Sequence, residues 1–306
     1  MFAKKSNGAI AAGLVTAVFL WGATNAGTKY VLQTWPPITV GLIRFFCAGV
    51  IMLAILKWTR VLGPLQPVSR ELRRRLWVRG GLSLAMYILA FNLSLQLTNA
   101  SHTALYLGAA PVWALLWEER PARNWRSAKR YGSALLAASG VIVLFLPTLK
   151  TGGVRFLGEF SGLSASFLWA NYGHQSRVLA ASLSGAEVAA HTMWRAGVWL
   201  MPLAVIEIIH FGMPWNPTAA LIQLYCVVGG GVVAYALWNN GLKHWSTSQV
   251  FLFNNLVPIT TMTWAWFCLG EPFTHTFWIA MILIVAGVVL GRTSWENVFG
   301  ADWSPE

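Results

Sequence analysis

The chain repeats itself once at a spacing of about 148 residues, and every match lies in apolar sequence. Phe19-Leu20-Trp21 returns as Phe167-Leu168-Trp169, Lys29 as Arg177, Tyr87 as Tyr235 and Asn92 as Asn240. Pro111 returns as Pro258 and Gly140 as Gly287 at a spacing of 147, and Arg44 as Arg195 at 151. Each copy holds five apolar segments, an odd number, so a second copy laid end to end with the first crosses a membrane in the opposite sense. Two inverted copies around a central site is the plan of many secondary transporters.

Composition supports a membrane setting. Hydrophobic residues make up 56% and charged residues 10%, against about 25% charged in an average soluble domain. A soluble all-α protein of this length could not hide so much apolar surface, whereas a bilayer can. Its ~30 Å hydrocarbon core takes about 20 apolar residues per helix, and runs of that length recur here. Ten spans are expected, near 9–32, 38–57, 77–98, 102–120, 128–147, 159–180, 188–211, 219–242, 248–268 and 274–292. Strand alternation is missing, and in lipid a helix satisfies its own backbone. The fold class is therefore an all-α integral membrane protein, with ten transmembrane helices in a 5+5 inverted-topology repeat. The repeats are expected at 1–148 and 149–306, the second with a short C-terminal tail. The longest connections, roughly 58–76 and 148–158, are too short to fold alone. The first apolar run lacks a small-x-small cleavage pattern and reads as a retained first helix.

The net charge of +12 follows membrane topology and is no nucleic-acid footprint. With both termini cytoplasmic, seventeen of the 22 Lys and Arg residues fall on the cytoplasmic side. Only Lys29, Lys150 and Arg155 fall on the other, and Arg44 and Arg195 lie inside spans. The positive-inside rule then places both ends in the cytoplasm of a multi-pass inner-membrane protein. The basic run Arg70–Arg79 determines topology and is a candidate surface for anionic lipid.

Polar residues at membrane depth face the bundle interior or a wet cavity. Trp21 and Asn25 share one face of the first span with Lys29, and Trp169 and Tyr172 belong to the sixth. Tyr87 and Asn92 lie on the third, Tyr235, Trp238 and Asn239 on the eighth. Pro111 and Pro258 fall near the middle of the fourth and ninth spans, preceded by Tyr106 and by Asn254 and Asn255. Mid-helix prolines at matching places mark kinks beside a transport site. These aromatic rings, amides and hydroxyls suit a small, partly apolar solute. The competing reading is that the amides bond helix to helix and the rings form interfacial belts. Arg44 and Arg195 are expected to snorkel, with a role in binding a substrate carboxylate as the alternative. No acid falls at a predicted midplane, so no coupling residue stands out. His102, His174 and His191 lie near span ends, as do Glu118, Glu119 and Glu271, with Glu207 nearest the middle. Gly287 and Gly291 form a GxxxG pair that suits close packing within the chain or a homodimer face.

Cys47, Cys226 and Cys268 are dispersed in apolar segments and form neither a disulfide framework nor a metal site. No nucleophile–base set, metal-ligand motif or phosphate loop is present, so neither an enzyme nor a cofactor is expected.

The run Leu20-Trp21-Gly22-Ala23-Thr24-Asn25, followed by Pro36-Pro37 and Arg44-Phe45, resembles the opening of an EamA domain. Leu237-Trp238-Asn239-Asn240-Gly241-Leu242, Asn254-Asn255-Leu256-Val257-Pro258, Leu269-Gly270-Glu271-Pro272 and Ala286-Gly287-Val288-Val289-Leu290 resemble the second copy of that domain. The first copy departs at Trp117-Glu118-Glu119-Arg120-Pro121, where the glycine of Leu-Gly-Glu-Pro is lost. The resemblance spans nearly the whole chain. It implies the drug/metabolite transporter superfamily, with two EamA domains and export of metabolites, amino acids among them. The expected function is an inner-membrane secondary transporter that exports small metabolites, most readily amino acids or related compounds, by alternating access. Export of lipophilic or cationic drugs, or a non-transporting scaffold, are the competing expectations.

Overall fold

The computed structural model describes residues 7–59, 61–110, 113, 125–151, 153–244, 253–254 and 256–291, and these are helical with short turns and no strand among them. We number the helices α1 Asn7–Val31, α2 Pro37–Trp58, α3 Arg70–Leu97, α4 Ala100–Gly108 and α5 Trp125–Thr151. The second half holds α6 Gly153–Ala180, α7 Gly185–Phe211, α8 from Pro217 to His244, α9 Val257–Leu269 and α10 His275–Gly291. Five helices (α1, α2, α3, α7 and α8) are long and apolar enough to cross a membrane, and shorter apolar helices accompany them.

Helix ends follow local chemistry. Pro37 and Pro217 open α2 and α8, where a missing N–H costs nothing. Ser184 and Glu187 form a reciprocal capping box at the start of α7. Gly270 closes α9 in the left-handed region at φ 68°. Two connections differ from expectation. Ser69 accepts from the Leu72 amide and so starts α3 at Arg70, inside the stretch read as a loop. Likewise α5 runs through Pro147 to Thr151 and α6 begins at Gly153, so helix fills most of 148–158.

The packing is its own image when the halves are exchanged. α1 packs on α8 as α6 packs on α3, and α1 on α9 as α6 on α4. The α2–α7, α4–α9 and α5–α10 contacts map onto themselves. In the last of these, a Cβ on Gly140 would lie 2.7 Å from Ala280 O, and one on Gly287 would lie 2.6 Å from Ser133 O. Gly287 is thus used inside the chain rather than on a free dimer face. Large apolar side chains such as Leu135, Ile209, Phe211 and Leu221 stand exposed around the bundle, as lipid contact requires.

Both α3 and α8 contain a π-helical stretch, Leu76–Leu82 and Cys226–Val233. One extra residue per turn widens a helix locally and is often found at functional sites. Here the widened turns carry glycines that let neighbours close in: Gly81 meets Arg195 Cβ and Gly231 meets Ala48 Cβ.

Pro258 sits in the first turn of α9, not in mid-helix. The helix is interrupted just before it, where Leu256 turns at φ −83°, ψ −15° and its N–H bonds Phe253 O. At the end of α4, Ala109 turns at φ −84°, ψ −3° and its N–H bonds Tyr106 O. The two breaks match residue for residue at a spacing of 147. Each lies two positions before a proline in the sequence, and at Pro258 this puts the proline in the first turn of α9, where its missing N–H costs nothing. Pro111 itself lies outside the described residues, as do Asn255, Glu118 and Glu119.

Candidate substrate site

Two aromatic ladders occupy equivalent places in the halves. In one, Trp21 of α1 meets Tyr235 of α8 with ring centroids 5.3 Å apart and Trp238 at 5.0 Å. Its indole N–H donates to Gly230 O at 3.0 Å, a carbonyl inside the π-helical stretch. In the other, Trp169 of α6 meets Tyr87 of α3 at 4.9 Å and Tyr172 at 5.5 Å. Tyr87 continues to Phe91 at 5.4 Å, and the Tyr172 hydroxyl bonds the Thr192 hydroxyl at 2.9 Å. The ladders belong to one core, since Tyr87, Tyr172, Trp169 and Tyr235 pack into the same apolar cluster. That cluster also holds Val40, Phe45 and Ala48 of α2, the helix that carries Arg44. Aromatic faces with a few polar tips can hold a solute that is apolar at one end and charged at the other.

The other expected site residues are spread more widely. Asn25 donates to Thr261 Oγ1 at 3.0 Å, tying α1 to α9, and Asn92 donates to Pro37 O at 2.8 Å, tying α3 to the start of α2. Both amides therefore serve helix–helix bonding. Trp238 is buried with Ile10, Leu14, Val18 and Val257 beyond its contact with Trp21. Asn239 points toward the start of α7, where a Cβ on Gly185 would lie 3.0 Å from its Oδ1. Asn254 is half-buried in the helical turn before the α9 break. Tyr106 is fully buried in a separate apolar cluster with residues of α5, α9 and α10, and beside Glu159.

Arg44 and Arg195 are both buried and do not snorkel. Arg195 stacks on Trp194 at 4.3 Å and Trp77 at 5.5 Å, and donates to His191 O at 2.9 Å. They are also not structural equivalents. Gly49 of α2 closes on Trp194 of α7 while Gly197 of α7 closes on Phe46 of α2. That register pairs Arg44 with Thr192 at a spacing of 148, which leaves Arg195 about a turn away.

Sequence reasoning missed a cluster at the end of the bundle where α3 meets α4. Glu159 of α6 has no exposed surface. Its Oε1 accepts from Thr98 Oγ1 at 2.8 Å and lies 2.8 Å from His102 Nδ1, with Arg155 Nε at 4.0 Å. Nearby, Lys29 donates to Thr98 O at 2.6 Å. Glu271 accepts from the Ala100 amide at 2.7 Å, the Ser101 amide at 3.2 Å and the Ser101 hydroxyl at 2.7 Å. Glu207 holds the start of α2 in the same manner, through Ile38 N, Thr39 N and the Thr39 hydroxyl. Three carboxylates from the second half thus hold backbone and side-chain groups of the first. The available signal was an acid inside an apolar run, Gly158-Glu159-Phe160-Ser161-Gly162.

Known proteins place this geometry. The chain is 24% identical over 294 residues to a protein of Escherichia coli (strain K12) named a probable amino-acid metabolite efflux pump, covering 94% of this chain and 93% of the relative. It is 23% identical over 302 residues to the uncharacterized inner membrane transporter YhbE of the same organism, covering 93% and 92%. A solved crystal structure, described only as that of a protein, matches with a TM-score of 0.62 at 20% identity, covering 96% of this chain and 100% of its own. That likeness concerns the fold alone. The model of the EamA-like transporter family matches residues 8–146 and again 156–292. Two matches to one transport-domain model, over most of the chain and in a structure where each aromatic ladder draws on both copies, show that the chain belongs to the EamA-like transporter family.

Proposed function

We propose that the protein is an inner-membrane exporter of small metabolites, amino acids or related compounds first, working by alternating access. The observation that carries this reading is the pair of equivalent ladders, Trp21–Tyr235 and Trp169–Tyr87, together with matching helix breaks at Ala109 and Leu256. A scaffold needs neither a break in an apolar helix nor a symmetric aromatic centre. Ten spans, repeats at 1–148 and 149–306, and cytoplasmic termini complete the proposal. In that orientation the Glu159–His102, Glu271 and Glu207 contacts lie on the outer side and hold it closed. Arg74, Arg75 and Arg79 then lie on the inner side, where they face anionic lipid.

The substrate class rests on the aromatic walls and on the name of the relative from Escherichia coli. Counterflow in proteoliposomes tests it, with labelled amino acids, nucleosides and organic cations offered in turn. Amino-acid counterflow is the expected result, and exchange of cations alone would favour a drug exporter. Trp169→Ala and Tyr87→Ala are each expected to lower counterflow about tenfold, the loss of roughly one stacked aromatic contact and its buried area. Folded protein should be recovered in full, and unchanged flux in both variants would remove the ladders from the site. A single cysteine placed at Arg74 in a cysteine-free background should react with membrane-impermeant maleimide only after the cells are opened.

A further inference from the structure

Arg44 is a buried cation without a counter-ion. It is 7% exposed. Among the described residues no carboxylate lies within ion-pair distance and its Nε has no hydrogen-bond partner. Its guanidinium lies over the face of Phe45, its own neighbour, at 4.9 Å. Glu207, the acid nearest along the α2–α7 contact, already accepts three hydrogen bonds at the start of α2. Charges at membrane depth are costly and are kept where they meet a partner or a substrate.

Its place in the fold is central. Val40, Arg44 and Ala48 are spaced four apart and form one stripe of α2. Val40 O accepts from Gln223 and Ala48 abuts Gly231, so the stripe faces α8. Gly41, on the adjoining side, closes on Ile88 and Asn92 of α3. This stripe of α2 therefore lies between the two helices that supply Tyr87 and Tyr235. The exchanged half gives the same depth independently. Thr192, the residue in the corresponding place on α7, bonds Tyr172 of the second ladder. One half thus presents a neutral hydroxyl to the ladders and the other a cation.

From this asymmetry we propose that Arg44 anchors the carboxylate of the transported solute, whose apolar side chain lies against the ladder rings. The proposal rests on the transport reading above and deepens it: the solute is an apolar or aromatic α-amino acid recognised as an anion at its carboxyl end. A guanidinium suits the task because its fork of N–H donors matches the two oxygens of a carboxylate.

The test uses the full-length protein in proteoliposomes and labelled phenylalanine or leucine counterflow. The competitors are each free amino acid, its amide, and the amine of the same skeleton lacking the carboxyl group. In the wild type the free acids are expected to compete about tenfold or more better than amide and amine, the worth of a charge-assisted hydrogen-bonded pair. Arg44→Gln should bring acid and amide within about twofold of each other, while Arg44→Lys, which keeps the charge, should retain part of the preference. A structural arginine would lower flux without changing that ratio. Equal competition by acid and amide in the wild type overturns the proposal even if Arg44→Gln does not fold. So does a tenfold preference that survives in Arg44→Gln. Neither result touches the transport reading. Absence of counterflow for every solute class would instead remove that reading, and this proposal with it.

Discussion

Replacing Glu159 by leucine is expected to destabilise the protein by about 2–4 kcal/mol, the cost of leaving two buried hydrogen-bonding groups without their partner. Glu159 is enclosed, and its Oε1 is shared by His102 Nδ1 and Thr98 Oγ1, both at 2.8 Å. Without the carboxylate, the imidazole and hydroxyl stay buried at the junction of α3, α4 and α6 with no acceptor. Membrane-embedded hydrogen bonds are often worth less than their burial suggests, because the unfolded state in lipid also finds partners. A paired control separates that effect. Glu159→Leu with His102→Leu removes both polar groups and should recover most of the loss, since well-packed apolar residues often replace a buried pair at little cost. Unfolding in mixed detergent micelles, followed by tryptophan fluorescence, measures both variants against the wild type. A neutral Glu159→Leu, or a double variant as unstable as the single, would show that the cluster does not hold this end of the bundle closed.

Gly140→Leu and Gly287→Leu are each expected to cost about 1–3 kcal/mol by overpacking the α5–α10 contact. Both glycines face backbone: Gly140 lies against Ala280 O, Gly287 against Ala137 N and Ser133 O. A peptide group in a helix cannot rotate away as a long side chain can, so the helices must separate. Because the two sites are equivalent and lie along one contact, the double variant should lose about the sum or slightly less. Gly132 on the same helix is the control. A Cβ there meets nothing within 4 Å, and Gly132→Ala should be neutral or stabilising by up to about 1 kcal/mol through helix propensity. Equal effects at Gly132 and Gly140 in the unfolding midpoint would contradict the close approach.

Much of the scaffold was legible because it depends on composition and period. A 25-residue apolar stretch in lipid has one way to satisfy its backbone, and Asn7–Val31 and Gly185–Phe211 lie within a few residues of the expected spans. The helix breaks were half-legible. A proline at matching positions announces a local irregularity, but whether it kinks a helix or starts a new one depends on the neighbouring turns. At Pro258 the turn at Leu256 decided for a new start. The site residues were legible by type and less so by role. Asn25 and Trp21 share a face of one helix, yet Asn25 bonds Thr261 of α9 and Trp21 bonds Gly230 of α8. The spacing of four residues could not say which neighbour each would meet. Glu159 escaped because an acid near a span end reads as exposed until His102 and Thr98 are seen to enclose it.

By itself, then, the sequence determined a helical membrane chain built from two copies of one transport domain, with aromatic residues recurring at equal places. Hydrophobicity and repetition are properties of the linear chain, and lipid leaves the backbone little choice. Only the tertiary structure decided which polar groups are spent on holding the halves together and which stand unpaired. It made Thr192 rather than Arg195 the counterpart of Arg44, and so left one half with a buried cation where the other has a hydroxyl bonded to Tyr172. Register between packed helices depends on where side chains interlock, here at Gly49 on Trp194 and Gly197 on Phe46, and spacing along one strand of sequence carries no record of that contact.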